Sequence, residues 1–160
     1  MQARSLVPTA LAVAATAVAG GLASRPAESA WYNALKKPSY QPPRQAFPIV
    51  WPVLYTVIAA VSASTLDDLQ RRGQHDERRT YLGALALNLV LNGSWSWVFF
   101  NRRWLGASAV TAGALAISSA DLTRRSVAAR GVKAAPMAAY AAWTAFATAL
   151  STHIWVLNRH

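Results

Sequence analysis

The 160-residue chain is 54% hydrophobic and only 14% charged, with a net charge of +10 and no cysteine. Its acids are confined to Glu28, Asp67, Asp68, Asp76, Glu77 and Asp121, whereas a soluble domain of this size spreads charge over every face. Without cysteine there is no disulfide, thiolate nucleophile or thiolate metal site. The bases sit beside uncharged stretches, which argues against a nucleic-acid partner and for phospholipid headgroups or anionic ligands.

Five stretches almost free of charge cover residues 5–24, 45–66, 80–101, 104–123 and 134–158. A helix needs about 20 residues to cross the hydrocarbon core. No water is available there, so the backbone must satisfy itself within each segment. The strictly alternating segments of a transmembrane barrel are absent. The prediction is an all-α, multi-pass integral membrane protein, a five-transmembrane-helix bundle forming one domain over residues 1–160.

The first stretch has the basic start, apolar core and small-residue end of a cleavable signal. Its apolar core is longer than the roughly 7–15 residues of a signal. The small pairs Thr16/Gly20 and Ala17/Gly21 suit close helix packing. It is read as a retained membrane helix.

The connecting segment over residues 25–44 contains "WYNALKKPSYQPP". Pro38, Pro42 and Pro43 fix φ and remove backbone donors. A flexible tether needs none of this. Trp31 and Tyr32 suit an interface or a pocket cover. The segment is read as a rigid lid over the bundle, with Lys36, Lys37 and Arg44 placed to meet an acidic group.

In the second stretch Phe47, Trp51 and Tyr55 repeat at i, i+4 and i+8. In the third, Asn88, Asn92, Trp95 and Phe99 share one face, and in the fifth Trp143, Phe146, Ala147, Leu150 and Ile154 do. Amides in hydrocarbon turn toward the bundle interior. Each stripe alone fits ordinary helix packing, with asparagine as the glue. Together with a rigid basic lid they describe a cavity for a flat, mostly apolar ligand, stacked on by rings and oriented by amides.

"LDDLQRRGQHDERRTY" is read as a solvated loop between the second and third stretches. In the fourth, Ala109/Gly113 and Ala112/Ala116/Ala120 are small-residue runs of the kind that line helix contacts, and a homodimer is expected. His75 and His160 have no spaced partner for a metal, and His153 in the fifth stretch is read as a hydrogen-bonding or interfacial residue. One end of the bundle collects Arg4, Arg71, Arg72, Arg78, Arg79, Arg124, Arg125, Arg130 and Lys133. The other collects Arg25, Lys36, Lys37, Arg44, Arg102, Arg103 and Arg159, so the balance leans toward a cytoplasmic N-terminus.

These residues resemble the TspO/MBR family of tryptophan-rich sensory and translocator proteins. "WYNALKKPSYQPP" resembles the family's first-loop signature, W-Y-x-x-L-x-K-P-x-x-x-P-P. "FPIVWPVLY" resembles the second-helix motif, "NLVLNGSWSWVFF" the third-helix N-x-x-W-[ST]-x-x-F-F element, and "WTAFATALSTHIWVLN" the fifth-helix segment. Their order and spread cover most of the chain.

The resemblance implies a five-helix bundle in a bacterial cell membrane, often homodimeric, with the first loop lidding a pocket. Its implied ligands are porphyrins such as protoporphyrin IX, with no resident cofactor and no metal. Carried over by motif, the ligand-binding residues are Tyr32, Pro42, Pro43, Phe47, Trp51, Asn88, Asn92, Trp95, Trp143, Phe146, Ala147 and Leu150. Light- and oxygen-dependent porphyrin degradation in some bacterial members implicates tryptophans matching Trp51 and Trp143. An indole beside an excited porphyrin can donate an electron, leaving a radical that oxygen traps.

Departures temper this transfer. Ala139 rather than proline precedes Tyr140, and Pro136 lies further back, which predicts a shifted kink. The sterol consensus at the end of the fifth helix lacks its tyrosine between Trp155 and Arg159, leaving sterol binding unsupported. Tyr40 and Gln45 stand where members often carry tryptophan, predicting a looser lid. The competing readings are a small-molecule or drug transporter without tetrapyrrole specificity, and a structural membrane subunit. A transporter usually buries an ionisable coupling group or shows an inverted repeat, and neither is evident.

Overall fold

The computed structural model describes residues 3–159; His160, considered above for metal binding, lies outside the described residues. Five long helices build the bundle: α1 (Ala3–Ala23), α3 (Phe47–Arg71), α4 (His75–Ser96), α5 (Leu105–Arg130) and α6 (Met137–Asn158). A short α2 (Ala30–Ala34) lies in the first connection. No strand occurs among the described residues.

Four of the long helical segments, Arg4–Glu28, Arg44–Arg71, His75–Asn101 and Leu105–Ala134, are long and apolar enough to cross a membrane. At 22 residues α6 has the length, about 33 Å at 1.5 Å per residue. It carries no Asp, Glu, Lys or Arg, though Tyr140, Trp143, the threonines and His153 place polar atoms along it.

The segment read as a charged loop is largely helical. α3 runs on to Arg71 and α4 begins at His75, leaving a turn at Gly73, where φ is +69°. The extra turns are stabilised by ion pairs: Arg71 pairs with Asp68, and Arg130 Nε of α5 reaches Asp68 Oδ2 at 2.8 Å. The acids Asp76 and Glu77 fall in the first turn of α4, where they complement the helix dipole.

α4 ends in a π-helical turn, Trp97–Asn101. Asn101 Nδ2 donates to the Ala23 carbonyl at 2.9 Å, tying this turn to the end of α1. Pro136 immediately precedes α6, so the proline marks its entry and puts no kink within it.

α1 packs against α3 and α4 as an integral part of the bundle. Its Val13 joins Leu54, Ile58, Leu85, Leu89, Leu122 and Tyr140 in the main core. Part of the small-residue run of α5 is used within the chain: Ala109 and Ala112 are buried, and a Cβ on Gly113 would lie 3.7 Å from Thr148 of α6, while Ala120 is exposed. Gly106 is tighter still, since a Cβ there would sit 3.1 Å from the Trp155 indole.

Candidate functional site

The first connection is ordered by its own side chains. Tyr32 N donates to Ser29 Oγ at 3.3 Å, capping α2. The buried Tyr32 ring packs on Phe99 and Phe100 of the π turn, at centroid distances of 6.2 and 5.5 Å. Lys37 folds back over that ring, its Nζ 4.4 Å from the centroid, and donates to the Tyr32 and Leu35 carbonyls. Gln41 Nε2 donates to the Tyr32 hydroxyl at 3.0 Å, and Arg44 donates to Asn33 Oδ1.

Burial pushes the Tyr32 phenol up from its ordinary pKa, against the opposing Gln41 hydrogen bond and Arg44 charge. Desolvation, helped by Arg44, pulls the Lys37 ammonium down.

Two contacts fasten this connection to α6. Asn158 bridges the Lys36 backbone in both directions: Lys36 N donates to its Oδ1 at 3.0 Å, and its Nδ2 donates to the Lys36 carbonyl at 2.8 Å. The Tyr40 hydroxyl lies 3.1 Å from His153 Nδ1, and the Tyr40 ring packs edge-on against Phe146 at 6.1 Å. Tyr40, expected to hold ligands less tightly than a tryptophan, supplies a hydrogen-bonding hydroxyl and a ring contact to α6.

Beneath, α3 and α6 bring their aromatic stripes together. Trp143 meets Phe47 at 6.0 Å, Trp51 at 6.4 Å and Phe146 at 5.6 Å, and Trp51 stacks on Tyr55 at 5.4 Å. Phe146 also packs against the second cluster, formed by Tyr32, Phe99, Phe100, Leu150 and Ile154 with Trp31 and Trp95 at its margin. Trp95 stacks on Phe99 at 5.3 Å. Ala147 is half-buried, as is Pro42. Pro43 is exposed, and its carbonyl accepts from Ala46 N at 2.9 Å, closing the turn that leads into α3.

The asparagines behave differently from the rings. Asn88 is fully buried and Asn92 is 4% exposed. Tyr140 donates its hydroxyl to Asn88 Oδ1 at 2.8 Å and accepts from Asn92 Nδ2 at 2.9 Å. Tyr55 donates to Asn92 Oδ1 at 2.9 Å. Asn88 Nδ2 donates to Ser119 Oγ at 3.1 Å and Ser118 Oγ at 3.2 Å. The amides expected to orient a ligand are thus engaged in tying four helices together beneath the rings.

Among the described residues, two buried polar atoms near the lid have no partner, Gln41 Oε1 and the Trp95 indole N–H. An unmet buried donor or acceptor costs about 1–3 kcal/mol. Residue spacing did not single out Gln41, Phe100 or Asn158, although the last two close the third- and fifth-helix motifs that carry the family resemblance. Only the Pro-rich setting of Gln41 could have drawn attention to it, because its role depends on where the lid lands.

The fold and this aromatic, lidded end define an all-helical, multi-pass integral membrane protein. The chain belongs to the TspO/MBR family, whose model matches residues 8–156. It is similar to the tryptophan-rich protein TspO of Bacillus cereus, with 30% identity over 133 residues, 83% of this chain and 84% of that protein. It is 32% identical to the translocator protein of Homo sapiens over 130 residues, 78% of this chain and 73% of that one. Protein CrtK of Rhodobacter capsulatus is 27% identical over 154 residues, 96% of this chain and 94% of its own.

Proposed function

We propose that the chain crosses the membrane five times and binds a flat tetrapyrrole of the protoporphyrin IX class under the first connection. The observation that carries this reading is the junction of two aromatic clusters through Phe146, beside the unpartnered Gln41 Oε1 and Trp95 N–H. Phe47, Trp51, Trp143 and Phe146 supply ring faces on one side; Tyr32, Trp95 and Leu150 supply the other. Ala147 is the small, half-buried residue of the α6 face between Phe146 and Leu150, and Pro42 and Pro43 hold the lid's path. Asn88 and Asn92 act from below by fixing Tyr55 and Tyr140, and Lys36 or Arg44 meets a propionate at the rim.

Catalysis, on this reading, is photochemical and confined to Trp51 and Trp143. Light excites the bound porphyrin, an indole transfers one electron to it and loses its N–H proton to become a neutral radical, and the porphyrin radical anion passes the electron to molecular oxygen, giving superoxide that attacks the macrocycle. The related proteins named for translocation and sensing support a ligand-handling role in the membrane.

The test is tryptophan-fluorescence quenching by protoporphyrin IX, titrated in the dark in detergent and corrected for inner-filter absorption. Saturable quenching that weakens in Trp51→Phe/Trp143→Phe supports the site. Linear quenching equal to that of an unrelated membrane protein rejects it. Full light-dependent porphyrin loss in the same double variant rejects the photochemical step alone.

A further inference from the structure

The lid carries one amide whose place is fixed by the backbone on both sides. Gln41 closes a tight turn, its N–H donating to the Pro38 carbonyl at 3.1 Å, and Pro42 and Pro43 follow it. Its Nε2 donates to the Tyr32 hydroxyl at 3.0 Å, while Oε1 is buried and without a partner among the described residues. A phenol hydroxyl both donates and accepts. Turning the Gln41 amide over therefore keeps a bond to Tyr32 and offers the interior a donor in place of an acceptor. The Trp95 indole N–H is the second unmatched polar atom. Trp95 stacks on Phe99 at 5.3 Å, and Tyr32 packs on the same ring at 6.2 Å. Both atoms thus border one aromatic cluster, one directly and one through Tyr32.

The neighbouring cations are engaged or lie outside. Lys37 has its ammonium on the Tyr32 and Leu35 carbonyls. Arg44 is exposed and donates to Asn33. A carboxylate offers acceptors only. Placed inside, it would face the Gln41 oxygen while Lys37 stays on its carbonyls; placed at the rim, it reaches Arg44 or the exposed Lys36.

We propose that Gln41 and Trp95 select a flat ligand whose buried edge carries neutral hydroxyl groups, with its carboxylates on the opposite edge at the rim. The inference rests on the lidded-site reading above and adds to it the chemistry of the buried edge. Protoporphyrin IX presents vinyl groups opposite its propionates, and these leave both polar atoms unmatched. A hydroxyl accepts from the Trp95 N–H, and it donates to Gln41 Oε1 or accepts from Nε2. A site built to hydrogen-bond a hydroxyl discriminates strongly against the analogue that lacks it.

The experiment is equilibrium titration of the full chain in detergent, in the dark, with hematoporphyrin IX and with mesoporphyrin IX, each measured against empty micelles. The two share their propionates and differ at the opposite edge, 1-hydroxyethyl against ethyl. The unaltered chain should bind hematoporphyrin about tenfold more tightly, although it is the more polar porphyrin. Gln41→Leu/Trp95→Phe removes both polar atoms and keeps a ring on Phe99. It should bind mesoporphyrin at least as tightly as hematoporphyrin.

Equal affinities, or tighter binding of mesoporphyrin, in the unaltered chain overturn the inference and leave the lidded site standing. That comparison needs no variant. A hydroxyl preference that survives in Gln41→Leu/Trp95→Phe overturns it as well. If neither porphyrin binds saturably, the lidded site itself is rejected, and this inference with it.

Discussion

The two ends of the bundle spend their polar groups in opposite ways. Below the rings, the hydroxyls and amides that join α3, α4, α5 and α6 are matched to one another. Tyr81 reaches Ser62 at 3.0 Å and Ser126 at 2.8 Å, and Tyr140 sits between Asn88 and Asn92. In the lidded half, rings crowd together while Gln41 Oε1 and the Trp95 N–H stay unmatched. Matched networks hold a fold, because breaking one strands its partners. Unmatched atoms among aromatic rings are what a binding site leaves for its ligand. On the proposed reading the first half is scaffold and the second is the binding surface.

The largest effect should come from attacking the scaffold. Asn88→Leu strands the Tyr140 hydroxyl and removes the bonds to Ser118 and Ser119. It should cost roughly 2 kcal/mol, toward the upper end because interhelical bonds in membranes average less than this each. Thermal unfolding in detergent reads that loss, while dark porphyrin affinity stays within about twofold once the protein is folded. A variant that keeps its melting temperature but loses porphyrin would show that the amide faces the ligand and would break the comparison.

The converse substitution is Trp51→Phe/Trp143→Phe. Each lost ring contact is worth about 0.5–1.5 kcal/mol, so dark affinity for protoporphyrin IX should fall about tenfold with little change in melting. A large drop in melting with unchanged affinity would move these tryptophans to the scaffold side.

Asn158→Leu probes the lid's fastening. It removes both hydrogen bonds to the Lys36 backbone, about 1 kcal/mol net, and should speed porphyrin dissociation about fivefold in stopped-flow fluorescence. Tyr40→Phe keeps the contact with Phe146 and removes only the bond to His153, so its dissociation rate should rise about twofold. If Tyr40→Phe exceeds Asn158→Leu, the lid is fastened mainly at His153.

Much of this division was legible from residue spacing. The near-absence of charge marks the long helices, and three prolines mark a connection with a fixed path. Periodicity placed Phe47 with Trp51 and Trp143 with Phe146. It could not say that the face shared by Asn88, Asn92, Trp95 and Phe99 would divide in two. That division depends on Tyr140 and Tyr55 arriving from other helices to take both amides, while Trp95 and Phe99 turn to the lid.

The charged stretch after Leu66 misled for a similar reason. Its charges read as solvation, yet Asp68 serves as a partner for Arg71 and for Arg130, 62 residues away. Nothing local signals such a partner. Asn158 was equally hidden: a polar residue at a helix end is unremarkable until the lid's backbone lies against it.

The most direct test is amide hydrogen exchange of the detergent-solubilised chain, with and without protoporphyrin IX in the dark. Protection should rise across residues 31–44 and the first turns of α3, where the lid settles over the rings. It should stay unchanged through the Tyr81–Asn92 part of α4. Protection confined to α4 and α5, or absent from the lid at saturating porphyrin, would contradict the assignment of the lidded end as the binding site.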